Sequence, residues 1–598
     1  MANQSKLVVN TSKSKNQKQT FARLLTYLGE SKLLLSLAII LSVVATVGGL
    51  YASYAISPMI SIIQSALDGV LSYSEMRSQL FIQIVILAIV FVVEVGGMYL
   101  SGRLMVKISQ RTVQSIREEM FEKVLKTPVV NHDQNAHGDL MSRFTNDIDL
   151  VGEGLNSAAA SIIINIFTLI GTIAVMLYMN IVLTIVTMII IPLLGLMSSV
   201  IVKKSKYYSK RQQQSLGDLN GYIEESIEGQ TVMQLFNHQR KSQETFNKKN
   251  LTYRKNAQWA QITSIMIYPL MQNINTISYA VIGIVGGYLS VLGKLSIANL
   301  VAYVNMTRQQ GKPINEISSQ FTILQSALAS AERIFELLDW EDEPSKDSDI
   351  SVEDIKGDVR FENVTFGYND QKMVLKNVTF WASPGEKIAF VGSTGAGKTT
   401  ITNLISRFYE INSGSILIDG INIEDMNRWK LREHIAMVLQ DTNLFSGTIM
   451  ENIRYGNLNA TDEECIEAAK LANAHHFIKT LENGYETVIS GSGSELSQGQ
   501  KQLLNIARAA VANPSILILD EATSSIDTRT EKLIEKGMDS LMKGRTTFII
   551  AHRLSTVRNA DAIIVLENGE IIERGNHDKL VELGGRYASL YSGQTELS

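Results

Sequence analysis

The chain has 598 residues, 45% of them hydrophobic and 19% charged, a net charge of −4 and a single cysteine, Cys465. That length calls for two or more compact units, the near-neutral charge excludes the basic footprint of a nucleic-acid binder, and one cysteine excludes an internal disulfide or a cysteine-built metal centre. Mean hydropathy is slightly positive at +0.07, and the apolar residues gather in the first half, so a membrane-embedded half followed by a soluble half is expected.

Residues 1–20 are polar, carry lysine but no arginine, and lead into no small-residue cleavage pattern. They read as a cytosolic tail rather than a targeting peptide. A transmembrane domain over 21–328 is expected next, from six apolar segments at about 33–60, 79–101, 155–178, 181–203, 260–290 and 296–318. Each supplies about the 20 residues that a helix needs to cross a bilayer. The short connections near 61–78, 179–180 and 291–295 hold only Arg77 and Lys294 as bases, whereas the N-terminal tail and 203–258 are rich in lysine and arginine. The positive-inside bias therefore puts both termini in the cytoplasm.

The two inward connections, 102–154 and 204–259, have helical composition. At about 1.5 Å per residue they extend on the order of tens of ångströms beyond the membrane before returning. Their tips are expected near 146–151 and 228–236, and kinks near Pro269 and Pro313. Glu94 is the one acid well inside an apolar segment. Its charge costs roughly 2.5–3.5 kcal/mol on insertion scales, which makes it a candidate substrate contact, with pairing between helices as the other reading.

An acidic linker over 329–357 precedes a domain at 358–598, where strand-like runs such as "KIAFVG", "SILIDG" and "SILILD" alternate with helical stretches. That alternation predicts an α/β fold with a largely parallel sheet. The run "GSTGAGKTT" comprises Gly392, Ser393, Thr394, Gly395, Ala396, Gly397, Lys398, Thr399 and Thr400, between an apolar strand and a helical pattern. In that context its backbone N–H groups wrap phosphates, Lys398 reaches the outer phosphates and the Thr399 hydroxyl suits Mg²⁺. Downstream, "LILDEATSSID" ends a strand on Asp520, suited to the Mg²⁺ shell, and Glu521, suited to polarising an attacking water.

Together with "LSQGQ" and "IIAHRLST", these motifs resemble the nucleotide-binding domain of ATP-binding cassette transporters, and the six preceding segments resemble the exporter type. The resemblance spans nearly the whole chain. It implies an ATPase that drives export by alternating access across a bacterial plasma membrane, with ATP and Mg²⁺ as cofactors. It further implies that Tyr368 stacks on adenine and that Gln440 links Mg²⁺ to the membrane hairpins. Ser497, Gly499 and Gln500 of the signature would approach the partner's nucleotide, with Asp527 in the loop after Glu521 and His552 at the γ-phosphate. Lys398, Gln440, Glu521 and His552 would form the catalytic set.

The sequence departs from that family pattern at Gln498, where glycine is usual, at Ser490–Gly493, where Gly-Glu-Arg-Gly is usual, and at Leu503, where arginine is usual. Because each signature completes the opposite subunit's site, an altered signature beside an intact Lys398–Asp520–Glu521 set points to the hydrolysis-competent half of a heterodimer. The expected cargo is amphiphilic, a drug or lipid-like compound moving through the bilayer. The alternatives are a homodimeric lipid or peptide exporter and an ATP-gated channel or regulator.

Overall fold

A computed structural model of the chain describes residues 17–343, 354–369, 372–440, 442–491, 493, 495–520, 527–550 and 557–592. Side chains at 17, 30, 158–160, 191–202, 267, 268, 270–272, 274, 275 and 528 lie outside the described set as well. The chain forms two units. One comprises Met1–Lys126 with Asn135–Trp340, the other Thr127–Gln134 with Glu341–Ser598.

The first unit is helical, and all six apolar segments fall on helices. Three runs, Lys32–Leu67, Tyr73–Lys126 and His137–Met179, are long and apolar enough to cross a membrane, and Ile181–Ile190 and Thr276–Val291 are shorter apolar stretches, among the described residues. A proline lacks the N–H that would bond four residues back, and its ring crowds that carbonyl. One-residue breaks in the helical bonding fall at Ala55 ahead of Pro58, at Met266 ahead of Pro269 and at Gln310 ahead of Pro313, each residue keeping right-handed helical angles between its flanking helices. The irregularities expected at Pro269 and Pro313 thus fall about one turn ahead of the ring.

The first expected hairpin tip needs correction. Residues 146–151 do not lie at an exposed turn: Ile148 and Val151 are fully buried, packed with Ile108, Ile116, Met120, Ile334 and Phe335. Asp147 accepts a hydrogen bond from the Ser330 hydroxyl at 2.8 Å and pairs with Arg333 at 3.1 Å. The turn falls earlier, where the long helix Tyr73–Lys126 ends ahead of Pro128 and the short helix Val129–Gln134 follows. The second tip is where it was expected, as Ile181–Glu228 gives way at Gly229 to the short helix Gln230–Leu235.

Among the described residues the second unit has two main sheets and a two-stranded ribbon of Gly447–Thr448 with Val488–Ile489. An antiparallel sheet orders Leu375–Ala382, Val359–Phe366, Ser413–Ile418 and Ile421–Asn422 side by side. The larger sheet is built from Lys387–Val391 (β1), Ile435–Val438 (β2), Ile516–Asp520 (β3), Thr546–Ile550 (β4), Ala562–Glu567 (β5) and Glu570–Gly575 (β6), in the order β6-β5-β1-β4-β3-β2. Every pairing in it is parallel except β5 with β6. Its central strands are apolar along their length because both faces are covered. One face packs Phe390 and Phe548 against Phe361 and Phe380 of the antiparallel sheet, and the other packs Val391, Leu517 and Leu519 against the helices Gln498–Val511 and Thr528–Met542.

Candidate functional site

The parallel sheet brings the ends of the motif-bearing strands side by side. Phe390 of β1 pairs with Ile550 of β4, Ile550 pairs with Asp520 of β3, and Leu519 pairs with Val438 of β2. The segments leaving those strand ends carry the glycine-rich loop, residues 551–556, residues 521–526 and Gln440. Ligands of open α/β sheets bind at this edge, outside the carboxyl ends of the strands. Glu521 and His552 themselves lie outside the described residues.

The glycine-rich loop is held close to its neighbours. A Cβ on Gly392 would stand 2.2 Å from the Leu566 carbonyl oxygen, and Gly397, at φ +104°, would drive one to 2.6 Å from Leu375. Only glycine suits both positions. Gly397 caps the helix Lys398–Ile405, so the helix's free N–H groups and positive end face the loop. Within the loop Thr394, Gly395 and Thr399 are exposed, while Ala396, Lys398 and Thr400 are buried. The Lys398 ammonium donates to the Gly392 carbonyl at 2.5 Å and the Ser393 carbonyl at 3.1 Å. Burial lowers its pKa, and the Asp520 carboxylate opposes that shift, which sets Asp520 in electrostatic reach of the loop.

Tyr368 is 43% exposed, and its hydroxyl lies 3.1 Å from Thr400 Oγ1. Its ring stands edge-on to Phe366 and Tyr409, with centroids 5.0 and 4.9 Å away. An aromatic face is thereby fixed beside the phosphate loop. Tyr409 was not anticipated from the sequence; its hydroxyl donates to Asp133 of the short helix Val129–Gln134, and Val130 packs with the core beneath. Pro128, which ends the preceding helix, was the available signal for that segment.

The signature stretch sits at the start of the helix Gln498–Val511. Ser497 caps it, and Ser497 and Gln500 bond each other's backbone, at 3.3 Å to the Gln500 N–H and 2.9 Å from the Ser497 N–H. Gln498 is exposed on the first turn, Gly499 is buried and Leu503 lies in the core. Further along, the Gln502 and Asn505 amides each donate to the Leu439 carbonyl at 3.4 Å, and Gln502 accepts from the Thr442 hydroxyl at 2.8 Å. These two amides, absent from the expected set, tie the signature helix to the backbone beside the exposed Gln440. Asp527 caps the helix Thr528–Met542 by accepting from the Thr530 N–H, and that bond holds its carboxyl below the usual range.

In the first unit, Glu94 lies on Tyr73–Lys126 against two glycines of Lys32–Tyr54. A Cβ on Gly49 would come within 3.0 Å of its Oε1, and one on Gly48 within 3.4 Å of its own Cβ. Its Oε2 is buried without a hydrogen-bond partner among the described residues.

Comparison with known proteins matches residues 35–310 to the family described as ABC transporter transmembrane region, and residues 375–524 to the family described as ABC transporter. An uncharacterized ABC transporter ATP-binding protein of Bacillus subtilis is 42% identical over 98% of this chain and 96% of its own length. A fatty acid ABC transporter ATP-binding/permease protein of Mycobacterium bovis is 41% identical over 81% of this chain and 77% of its own. A probable multidrug resistance ABC transporter ATP-binding/permease protein of Bacillus subtilis is 37% identical over 81% and 72%.

Proposed function

This chain belongs to the ABC transporter family as an exporter half-transporter with an ATPase domain, and from that premise we propose that it exports amphiphilic compounds as the hydrolysis-competent half of a heterodimer. The observation that carries the reading is the convergence of the glycine-rich loop, Asp520 and Gln440 on one sheet edge, in a chain whose first unit is built of long apolar helices. The heterodimer rests on Gln498, exposed on the first turn of the signature helix, which in this reading faces the opposite subunit's nucleotide. Lipid-like or drug-like cargo is supported by relatives described as fatty acid and multidrug transporters and by a membrane half rich in Ile, Val, Met and Phe.

The loop N–H groups and Lys398 bind the polyphosphate, and Tyr368 offers its ring to adenine. Ser497 and Gly499 complete the partner's site, with Asp527 beside that interface. Glu521 orients the attacking water and His552 meets the γ-phosphate. In hydrolysis the water oxygen bonds to the γ-phosphorus, the bond to the β-phosphate oxygen breaks and phosphate leaves. Thr399 and Asp520, with Gln440 beside them, offer the hard oxygen donors that suit Mg²⁺, which when bound neutralises charge on the β- and γ-phosphates. Six helices cross the plasma membrane in this reading, with both termini cytoplasmic.

The test is Glu521→Gln in the purified complex. ATP binding is expected to persist while hydrolysis falls by about 10²–10⁴-fold, the usual worth of such a group. Near-normal turnover would remove Glu521 from the mechanism.

A further inference from the structure

The helix pair Ile181–Glu228 and Gln239–Ile265 carries a charge pattern that nucleotide chemistry does not use. The two run antiparallel in a register fixed by side chains: Ser205 meets Ser264 at 3.1 Å, Tyr208 stacks on Trp259 at 5.8 Å, and Asn256 donates to Ser215 at 3.3 Å. Across this paired length neither 203–217 nor 245–266 contains an acidic residue. Lys203, Lys204, Lys206, Lys210 and Arg211 stand exposed on one helix and Arg254 and Lys255 on the other, none in an ion pair among the described residues.

Aromatic rings sit among these cations. Arg211 lies over the Tyr207 ring at 4.8 Å, Tyr207 meets Tyr208 edge-on at 5.2 Å, and Tyr207 and Trp259 are 51% and 54% exposed. Along the second helix the outward residues change from Lys255 through Trp259 to exposed Ile262, Ile265 and Met266, over roughly 17 Å at 1.5 Å per residue. On this second helix that order is the one a helix presents on passing from water through the headgroups into hydrocarbon, while on its partner Lys203 and Lys204 stand level with Ile265 and Met266, at the edge of the apolar stretch.

We propose that this face is a binding site for anionic phospholipid headgroups, with the lysines and arginines on the phosphate and the exposed rings among them. Seven cations without a compensating acid demand a concentrated negative partner. The adjoining apolar residues commit that partner to the bilayer leaflet rather than a soluble anion.

The test places a benzoylphenylalanine photocrosslinker at Tyr207 in the full-length transporter, purified with any partner chain that accompanies it, in vesicles of equal phosphatidylglycerol and phosphatidylcholine. Captured lipid is identified by mass spectrometry. The same probe at Ile185, 54% exposed on the apolar stretch, reports the bulk lipid. At about 50 mM salt phosphatidylglycerol is expected to be enriched about fivefold at position 207 and not at 185. The enrichment is expected to fall toward parity at about 0.5 M salt, where the screening length is a few ångströms, and in the combined Lys203→Gln, Lys204→Gln, Arg211→Gln variant. The salt arm needs no altered cation, so it stands even where that variant folds poorly. Parity at low salt, equal enrichment at 185, or enrichment that survives high salt would overturn the proposal.

Discussion

Ser497 and Gln500 close on each other, the serine hydroxyl accepting from the Gln500 N–H at 3.3 Å and the Gln500 side chain accepting from the Ser497 N–H at 2.9 Å. This capping box satisfies two N–H groups that the helix start would leave open. It also commits Gln500 to the helix, so the departure at Gln498 stands alone as an exposed amide on the first turn. Replacing Gln498 with glycine is expected to cost under about 1 kcal/mol of stability. It should raise ATP turnover in the paired transporter by restoring a close approach to the opposite nucleotide. Unchanged turnover in a well-folded variant would mean that the amide is no obstacle to hydrolysis.

The heterodimer reading has its own measurement. Co-expressed with its proposed partner, the chain is expected to purify one-to-one and to hydrolyse ATP mainly at one site, and alone to be poorly active. Strong ATPase activity and transport by the isolated chain would defeat it.

Gln502 and Asn505 hold the Leu439 carbonyl from the signature helix. Loosening that tie is expected to affect turnover more than nucleotide affinity, because the phosphate loop is built on another strand. Asn505→Leu and Gln502→Leu are each expected to lower kcat by roughly tenfold, the scale of one or two net hydrogen bonds, with ATP affinity within about a factor of two. A parallel loss of both would assign the pair to folding alone.

Glu343 is buried between two guanidiniums, at 3.1 Å from Arg428 and 2.7 Å from Arg432. Desolvation pushes its carboxyl pKa up, but the bonds and charge of Arg432 and Arg428 outweigh that and hold it below the usual value. Since the folded pKa is depressed, the stabilisation is complete above the unfolded value and is lost as pH falls through the folded one. Glu343→Ala leaves Arg428 with Glu410 and Arg432 with the Ser406 and Arg407 carbonyls, so a loss of about 1–3 kcal/mol, the scale of hydrogen bonds to a charged group, is expected. The deficit should be flat between about pH 6 and 8 and shrink only in acid below the ordinary glutamate range. Thermal unfolding across that series checks both the size and the sign.

Much of this architecture was legible because the physics is local. Glycines 392 and 397 announce a close backbone approach, and Pro269 and Pro313 announce a break in helical bonding about one turn ahead of themselves. The alternation of strand and helix after Val359 implies the parallel sheet on whose edge the motifs meet. What was not legible depends on tertiary partners. The stretch 146–151 reads as a polar tip, but Asp147 finds Ser330 and Arg333 far along the chain, which no pattern within 146–151 can announce. Tyr409 and the Gln502–Asn505 pair escaped notice for the same reason, since aromatic and amide residues acquire roles only from what faces them.

The Glu94 carboxylate packs on the Gly48–Gly49 surface with one oxygen buried and unpartnered among the described residues. An ionised group in such a place costs free energy that a cation must offset. A cationic substrate arriving at this helix pair supplies one, whereas a Glu94 that meets no substrate serves only to pack the helices. Glu94→Gln keeps the shape and the hydrogen-bonding capacity and removes the charge. If the carboxylate meets substrate, transport of cationic compounds should fall by about tenfold or more while neutral compounds move as before, given the worth of a charged hydrogen bond. Basal ATPase activity should survive, since the hydrolytic residues belong to the other unit. Equal losses for cationic and neutral compounds, together with a lower unfolding temperature, would assign Glu94 to helix pairing.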